Sequence, residues 1–160
     1  MKNTEIEHKF LLRDTSYRTM VSQVFTIRQG YLCTDPDRTI RIRQKDDKAF
    51  ITVKSKPDAE TLARFEWERE IDPKDAQEML RMCLPYIIEK ERYIVPWQDV
   101  IIEIDEFHGV NEGLRIAEIE LQDINQPLPT LPEFIGQEVS HDHRYSNSYL
   151  ASQPYTMWKN

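Results

Sequence analysis

The sequence predicts an α+β chain, mainly antiparallel β, whose strands form a closed or nearly closed barrel with a few flanking helices. Three observations predict it. Segment after segment alternates charged with apolar residues at the strand period of two. The joints are mostly hairpin-length turns built from Asp, Asn, Gly and Pro. Few stretches carry helical spacing, which leaves about eight strands and two or three helices. So large a sheet in a chain of 160 residues has edges to hide, and closure hides them.

The elements follow in order. Thr4 to Leu12 is a strand with Glu5, Glu7 and Lys9 on one face and Ile6, His8 and Phe10 on the other. Arg13 to Val24 reads as a short helix with Thr15 or Ser16 near its start. Phe25 to Cys33 is a strand, and Gly30 inside it marks a bulge. Asp35-Pro36-Asp37 turns the chain into Thr39 to Lys45, Asp46-Asp47-Lys48 is a hairpin turn, and Ala49 to Lys54 is the partner strand. Pro57 to Thr61 is a polar loop, and Arg64 to Ile71 alternates again.

Asp72-Pro73-Lys74-Asp75 is a helix start: an N-cap acid, proline at the first position and an acid in the first turn. That helix runs to about Cys83 and ends at Pro85. Tyr86 to Val95 is a strand, Pro96 to Asp99 a turn, Val100 to Phe107 a strand. Gly109 to Gly113 is a turn, and Arg115 to Leu121 is the last clear strand. Asn125 to Pro132 reads as a covering loop. Ser140 to Ala151 reads as a terminal helix before a frayed tail.

Length and the absence of a composition break predict one domain over residues 1–160. The net charge of −7 excludes non-specific nucleic-acid binding, which needs a basic footprint. No apolar run is long enough for a membrane span, and the N-terminus enters a charged strand without a signal peptide. The only cysteines, Cys33 and Cys83, form neither a disulfide framework nor a metal motif, so a reducing cytoplasm is expected.

The charges are sorted by strand. Glu5, Glu7 and Lys9 share a face, as do Arg41, Arg43 and Lys45, then Glu66, Glu68 and Glu70. Lys90 and Arg92 pair in the same way, as do Glu103 with Asp105 and Glu118 with Glu120; Lys54 stands on the partner of the arginine strand. A surface built for solubility intermixes signs, whereas most of these strands carry one. Clustered acids suit a hard divalent cation such as Mg²⁺ or Mn²⁺, and clustered Arg and Lys suit phosphate oxygens. Together they mark a metal–polyphosphate site. The alternation alone leaves open whether this face lines a barrel or meets bulk water.

These residues resemble the CYTH superfamily, the triphosphate tunnel metalloenzymes. Glu5-x-Glu7-x-Lys9 looks like the family's opening motif. Gln29-Gly30-Tyr31-Leu32, Arg41-x-Arg43, Thr52-x-Lys54, Glu66-x-Glu68, Ile88-Glu89-Lys90-x-Arg92, Glu103-x-Asp105-Glu106-Phe107, Gly113-Leu114, Ala117-Glu118-x-Glu120 and Asp142 to Asn147 follow in the family's order. The likeness covers nearly the whole chain and is greatest to short bacterial members that resemble inorganic triphosphatases. His8 stands where many members carry arginine, off the charged face.

The resemblance implies an eight-stranded antiparallel barrel with its charges pointing inward. It assigns Glu5, Glu7, Glu66, Glu68, Glu103, Asp105, Glu118 and Glu120 to metal, and Lys9, Arg41, Arg43, Lys54, Lys90, Arg92 and Arg144 to a triphosphate. Glu5, Glu7, Lys9 and Lys90 are the expected catalytic residues. Asp142 and Arg144 fall in a C-terminal segment that covers one tunnel mouth.

The implied reaction is metal-dependent hydrolysis of inorganic triphosphate to diphosphate and phosphate. An organic triphosphate (ATP, thiamine triphosphate, or ATP cyclised to cyclic AMP) is the alternative, as is a non-catalytic polyphosphate or nucleotide-binding module. The lack of a base-binding motif favours the inorganic substrate, and the intact acid clusters favour an enzyme. A homodimer is compatible with the sequence.

Plainer roles are expected elsewhere. His8 packs or lies on the surface, and His108, His141 and His143 are solvated. Cys33 and Cys83 are small buried residues. Tyr31 either reaches the tunnel or packs. Glu70 joins the acids or ends its strand at the rim, and Lys45 and Lys56 meet either solvent or phosphate.

Overall fold

The computed structural model describes residues 3–158. Its strands are β1 (Thr4–Leu12), β2 (Gln23–Cys33), β3 (Arg38–Lys45), β4 (Lys48–Ser55), β5 (Ala63–Ile71), β6 (Leu84–Trp97), β7 (Val100–His108), β8 (Arg115–Leu121) and β9 (Ile135–Glu138). The helices are α1 (Pro73–Arg81) and α2 (Asn147–Leu150). All strand pairs are antiparallel in the order β5-β4-β3-β2-β6-β7-β8-β1, and a β5–β1 pairing closes the ring. This is the eight-stranded barrel the sequence implies, with one strand added.

That strand, β9, lies between the expected covering loop and the expected terminal helix, where the sequence predicts no element. It pairs with the Phe10 and Leu12 end of β1, while β5 takes the Thr4 to Ile6 end. Four residues with a glycine among them carry almost no strand signal, and only a vacant edge of β1 recruits them.

Apolar residues on the outer face form two of the three cores. Ile6, Phe10, Ile102, Ile104, Ala117 and Ile119 pack under Phe134, Leu128 and Leu131 of the proline-rich loop. Ile42 and Ala49 pack under Ala76 and Leu80 of α1. The Asp72 side chain accepts a hydrogen bond from Lys74 N at 2.8 Å, which caps α1 as its sequence predicts. Gly30 sits where the β2–β6 register shifts, and a Cβ there would stand 2.6 Å from Cys83 Cβ. The absent side chain lets the end of the helix segment lie against β2.

The third core is inside the barrel. Tyr31, Ile88, Phe107 and Ile116 fill one end of the interior, stoppered by Leu150, Ala151 and the partly buried Tyr145 and Trp158. The tunnel is therefore blind at that end.

Three predicted boundaries are corrected. Residues 13–24 hold only a 3-10 turn, Ser16–Met20, before β2 begins at Gln23. One buried side chain, Tyr17, anchors it, and it lacks the stripe that would hold a longer helix. Pro85, expected to end the helix, and Pro96, expected in a turn, both lie within β6; the hairpin after it is made by Gln98 at φ 51°. The expected helix from Ser140 to Ala151 is a 3-10 turn, His143–Tyr145, followed by α2. Asp142 accepts from Arg144 N and Ser146 from Tyr149 N, so each restarts the chain locally instead of extending one helix. Of the expected frayed tail, Tyr155–Met157 is a 3-10 turn and residues 159–160 lie outside the described residues.

Candidate active site

Strand alternation decides which side chains enter the barrel, and register decides which of them meet. Glu7 stands opposite Glu120, and Lys9 opposite Glu118. Lys54 faces Glu66, and Arg41 faces Thr52, which in turn faces Glu68. Arg43 faces Gln29, Arg92 faces Asp105, and Glu103 faces Glu118. Glu5, Glu7, Lys9, Arg41, Arg43, Lys54, Glu66, Glu68, Arg92, Glu103, Glu118 and Glu120 all border one cavity of about 210 Å³.

The strand order sorts these charges into two arcs. Neighbours β5, β1, β8 and β7 carry every acid, with Lys9 and Arg64 as the cations among them. Neighbours β4, β3, β2 and β6 carry Lys54, Arg41, Arg43, Lys45, Lys90 and Arg92 and no inward acid. The β2 strand contributes neutral Gln29 and Tyr31 to that basic arc.

Where the arcs meet, opposite charges pair. Lys54 Nζ lies 2.9 Å from Glu5 Oε2 and 3.3 Å from Glu66 Oε2, and Arg64 Nε lies 3.1 Å from Glu5 Oε1. Burial alone would raise the Glu5 carboxyl, but Lys54 and Arg64 hold it far below the usual range. At the other border Arg92 donates to both Asp105 oxygens at 2.8 and 2.9 Å, and reaches Glu103 at 3.3 Å and Glu118 at 3.8 Å.

Away from those borders, like charges crowd one another with less relief. Burial and the neighbouring Glu118 and Glu5 push the Glu7 carboxyl well up. Glu66 is raised by burial and by Glu5. Glu120, at the open mouth, is pushed up to about 7 by partial burial and by Glu5, Glu66 and Glu103. In the basic arc, burial with Arg41 and Arg92 pulls Arg43 down to about 9. Arg43 Nε finds a neutral partner, Gln29 Oε1, at 2.7 Å, but buried Arg41 Nε has no partner. An orphaned guanidinium donor inside a cation cluster is a place for an anion.

The acids stand in pairs, Glu5 beside Glu66 and Glu7 beside Glu118. No three acidic, histidine or cysteine side chains among the described residues converge on one point. Buried carboxylates set side by side are nonetheless the hard oxygen donors whose mutual repulsion a divalent cation would neutralise, so these residues fit such an ion.

Three expected residues, Lys90, Asp105 and Arg144, do not border that cavity. Lys90 is inside the barrel, but its side chain and that of Asp105 are both 0% exposed, with Nζ 2.6 Å from Asp105 Oδ2 and 3.0 Å from Asn147 Oδ1. They sit behind the cavity wall and not on it. Burial lowers the Lys90 amine to about 7 despite Asp105. Arg144 is half exposed, bound to Asp142 at 2.6 Å and set over Trp158, outside the tunnel. Its place in the chain order suggested a phosphate ligand; the 3-10 turn points it the other way.

The plainer residues also find their places. Tyr31 both borders the cavity and packs in the blind end. Lys45 borders the cavity and Glu70 does not. His8 bonds Glu138 on β9, and His108 bonds Glu91. Lys56 and His141 line a second cavity of about 560 Å³ that meets the tunnel at Glu5, Glu7 and Lys9. That space is larger, but the concentrated charge is in the smaller one.

The sequence motifs include Gln29, Thr52 and Asn147 without giving them a role in the site, and they leave out Arg64. Arg64 shared the spacing of Glu66 and Glu68 and was legible. The other three are neutral and become site residues only through the charged groups they bind.

Comparison with known proteins follows the same lines. The CYTH domain family matches residues 3–151. The chain is 42% identical over 156 residues to an inorganic triphosphatase of Acetivibrio thermocellus, covering 97% of each. It is 34% identical over 152 residues to an inorganic triphosphatase of Nitrosomonas europaea, covering 92% of this chain and 97% of that one. A crystal structure of an inorganic triphosphatase superposes with a TM-score of 0.64 at 31% identity, over 94% of this chain and 96% of the other.

Proposed function

We propose that this chain, which belongs to the CYTH domain family, is a divalent-metal-dependent inorganic triphosphatase that splits tripolyphosphate into diphosphate and phosphate. The observation that carries the reading is the division of one enclosed, blind-ended space into an acidic and a basic arc.

The basic arc meets the polyanion. Arg41, Arg43, Lys45 and Lys54, with Lys9 and Arg92, surround a triphosphate with donors, and Arg41 Nε gains the partner it lacks. Burial strengthens each contact, because little water competes for it. Glu5, Glu7, Glu66, Glu68, Glu103, Glu118 and Glu120 are the candidate holders of Mg²⁺ or Mn²⁺; such an ion supplies charge neutralisation and lowers the pKa of water. Asp105 is fully committed to Arg92 and Lys90 and acts by fixing those cations. Lys90, behind Asn147, has the same supporting role.

In the reaction, water attacks the terminal phosphorus and the phosphoanhydride bond to the bridging oxygen breaks. The basic side chains hold the charge that spreads over the transferring group and the departing diphosphate. Acid-arc carboxylates lie on the opposite wall, where they can orient the water and take its proton. The two unpaired cysteines suit the cytoplasm.

Phosphate release from tripolyphosphate, ATP and thiamine triphosphate, each with Mg²⁺ or Mn²⁺, tests the proposal. Fastest release from tripolyphosphate is expected. Tight binding of all three with no release would make the chain a binding module.

A further inference from the structure

Asn147 enters the barrel from α2 and borders the tunnel cavity, just above the apolar stopper that closes the blind end. Its amide orientation is dictated by a chain of hydrogen bonds. A guanidinium can only donate, so Arg43 Nε at 2.7 Å requires Gln29 to turn its oxygen that way. Gln29 then turns its Nε2 to Asn147 Oδ1 at 2.9 Å. Lys90 Nζ, also only a donor, reaches the same Oδ1 at 3.0 Å. Two independent donors thus hold the Asn147 oxygen against the wall. Its Nδ2 group is left without a protein partner among the described residues, on a side chain that faces the cavity.

The geometry points to Asn147 as a substrate-binding residue, whose amide N–H group donates to an oxygen of the phosphoryl group seated at the blind end. This rests on the triphosphatase reading for the identity of the anion. A neutral donor suits this position. A further cation would repel Lys90 and Arg43, whereas a carboxylate would satisfy them and repel the phosphate. Lys90 and Gln29 act through Asn147 as positioning residues, since neither reaches the cavity end of that amide.

The test is tripolyphosphate binding by calorimetry in metal-free buffer, beside steady-state hydrolysis with Mg²⁺. Asn147→Asp keeps the shape and the acceptor for Lys90 and Gln29 but replaces the donor with an anionic oxygen. It is expected to weaken binding and raise KM about tenfold or more, with kcat within about threefold and Tm unchanged or higher. A residue that only stoppers the barrel would leave both constants at the wild-type level, and that result overturns the inference while wild-type hydrolysis keeps the triphosphatase reading. Wild-type binding without hydrolysis sinks the triphosphatase reading, and the Asn147 assignment is then judged on the binding constant alone. No wild-type binding overturns the assignment. Should the aspartate unfold the chain, Asn147→Ser, which cannot span to both Lys90 and the phosphate, is expected to bind severalfold more weakly; wild-type affinity in that variant also overturns it.

Discussion

The two arcs of the barrel solve the problem of crowded like charge in different ways. In the acidic arc the proton affinity of some carboxyls rises: Glu7 and Glu66 are raised by burial and by their neighbours, and Glu120 is pushed up to about 7, while Glu118 is held down, against its burial, by Glu7, Lys9 and Arg92. Arginines do not readily shed protons, so the basic arc is spaced by neutral groups instead, with Gln29 accepting from Arg43 and Thr52 from Arg41. The acids are thus incomplete without a cation, and the bases are incomplete without an anion. At the borders, where Lys54 meets Glu5 and Arg92 meets Asp105, the protein needs neither ligand.

The largest expected break of this contrast is Glu7→Gln. Removing a carboxylate from the interior of the acidic arc is expected to cut Mg²⁺-dependent turnover by a factor on the order of 10³ or more. Stability without metal should stay level or rise, because Gln matches the proton-bearing form that Glu118 already favours. Phosphate release and thermal melting check both halves. Glu5→Gln, at the border, is the counterpart: the same loss of turnover, but with a lowered Tm because Lys54 and Arg64 lose their partner.

A smaller effect separates guanidinium from simple charge. Arg41→Lys keeps the cation and loses the orphaned Nε donor, so KM for tripolyphosphate should rise roughly tenfold. An unchanged KM would show that charge alone suffices there.

Next comes pH. A carboxyl raised from 4.5 to about 7 in the fold binds its proton more tightly when folded, so it withdraws stability as pH climbs through that window. Glu120→Gln removes this loss, and the metal-free variant should melt above the wild type by a margin that grows from about pH 4.5 to about 7. A constant margin would mean that Glu120 does not titrate there. The smallest effect is expected from Arg144→Ala, whose side chain is outside the tunnel: kcat/KM within about twofold of wild type. A large loss would return Arg144 to the site.

Much of this was legible in the chain. Period-two spacing alone put Glu5 with Glu7, Arg41 with Arg43, and Glu118 with Glu120 on common faces, because alternate side chains of a strand cannot do otherwise. Asp72-Pro73 named its helix start because the capping chemistry is local. Arg64 shares that spacing with Glu66 and Glu68, so its face is legible too. The four-residue β9 was not readable: it pairs with the part of the β1 edge that β5 leaves uncovered, which only the folded ring defines.

By itself, then, the sequence determined which charges share a strand face, since covalent geometry enforces alternation, and that most strands carry a single sign there, with Lys9 and Arg64 set among acids. Only the tertiary structure decided that these faces turn inward and that β2 lies between β3 and β6, which gathers the cations into one wall. It also decided that Lys90 is buried behind Asn147 while Arg144 stays outside. Those outcomes depend on which strands become neighbours and how deep each position falls in the barrel, and both come from contacts between residues far apart in the chain.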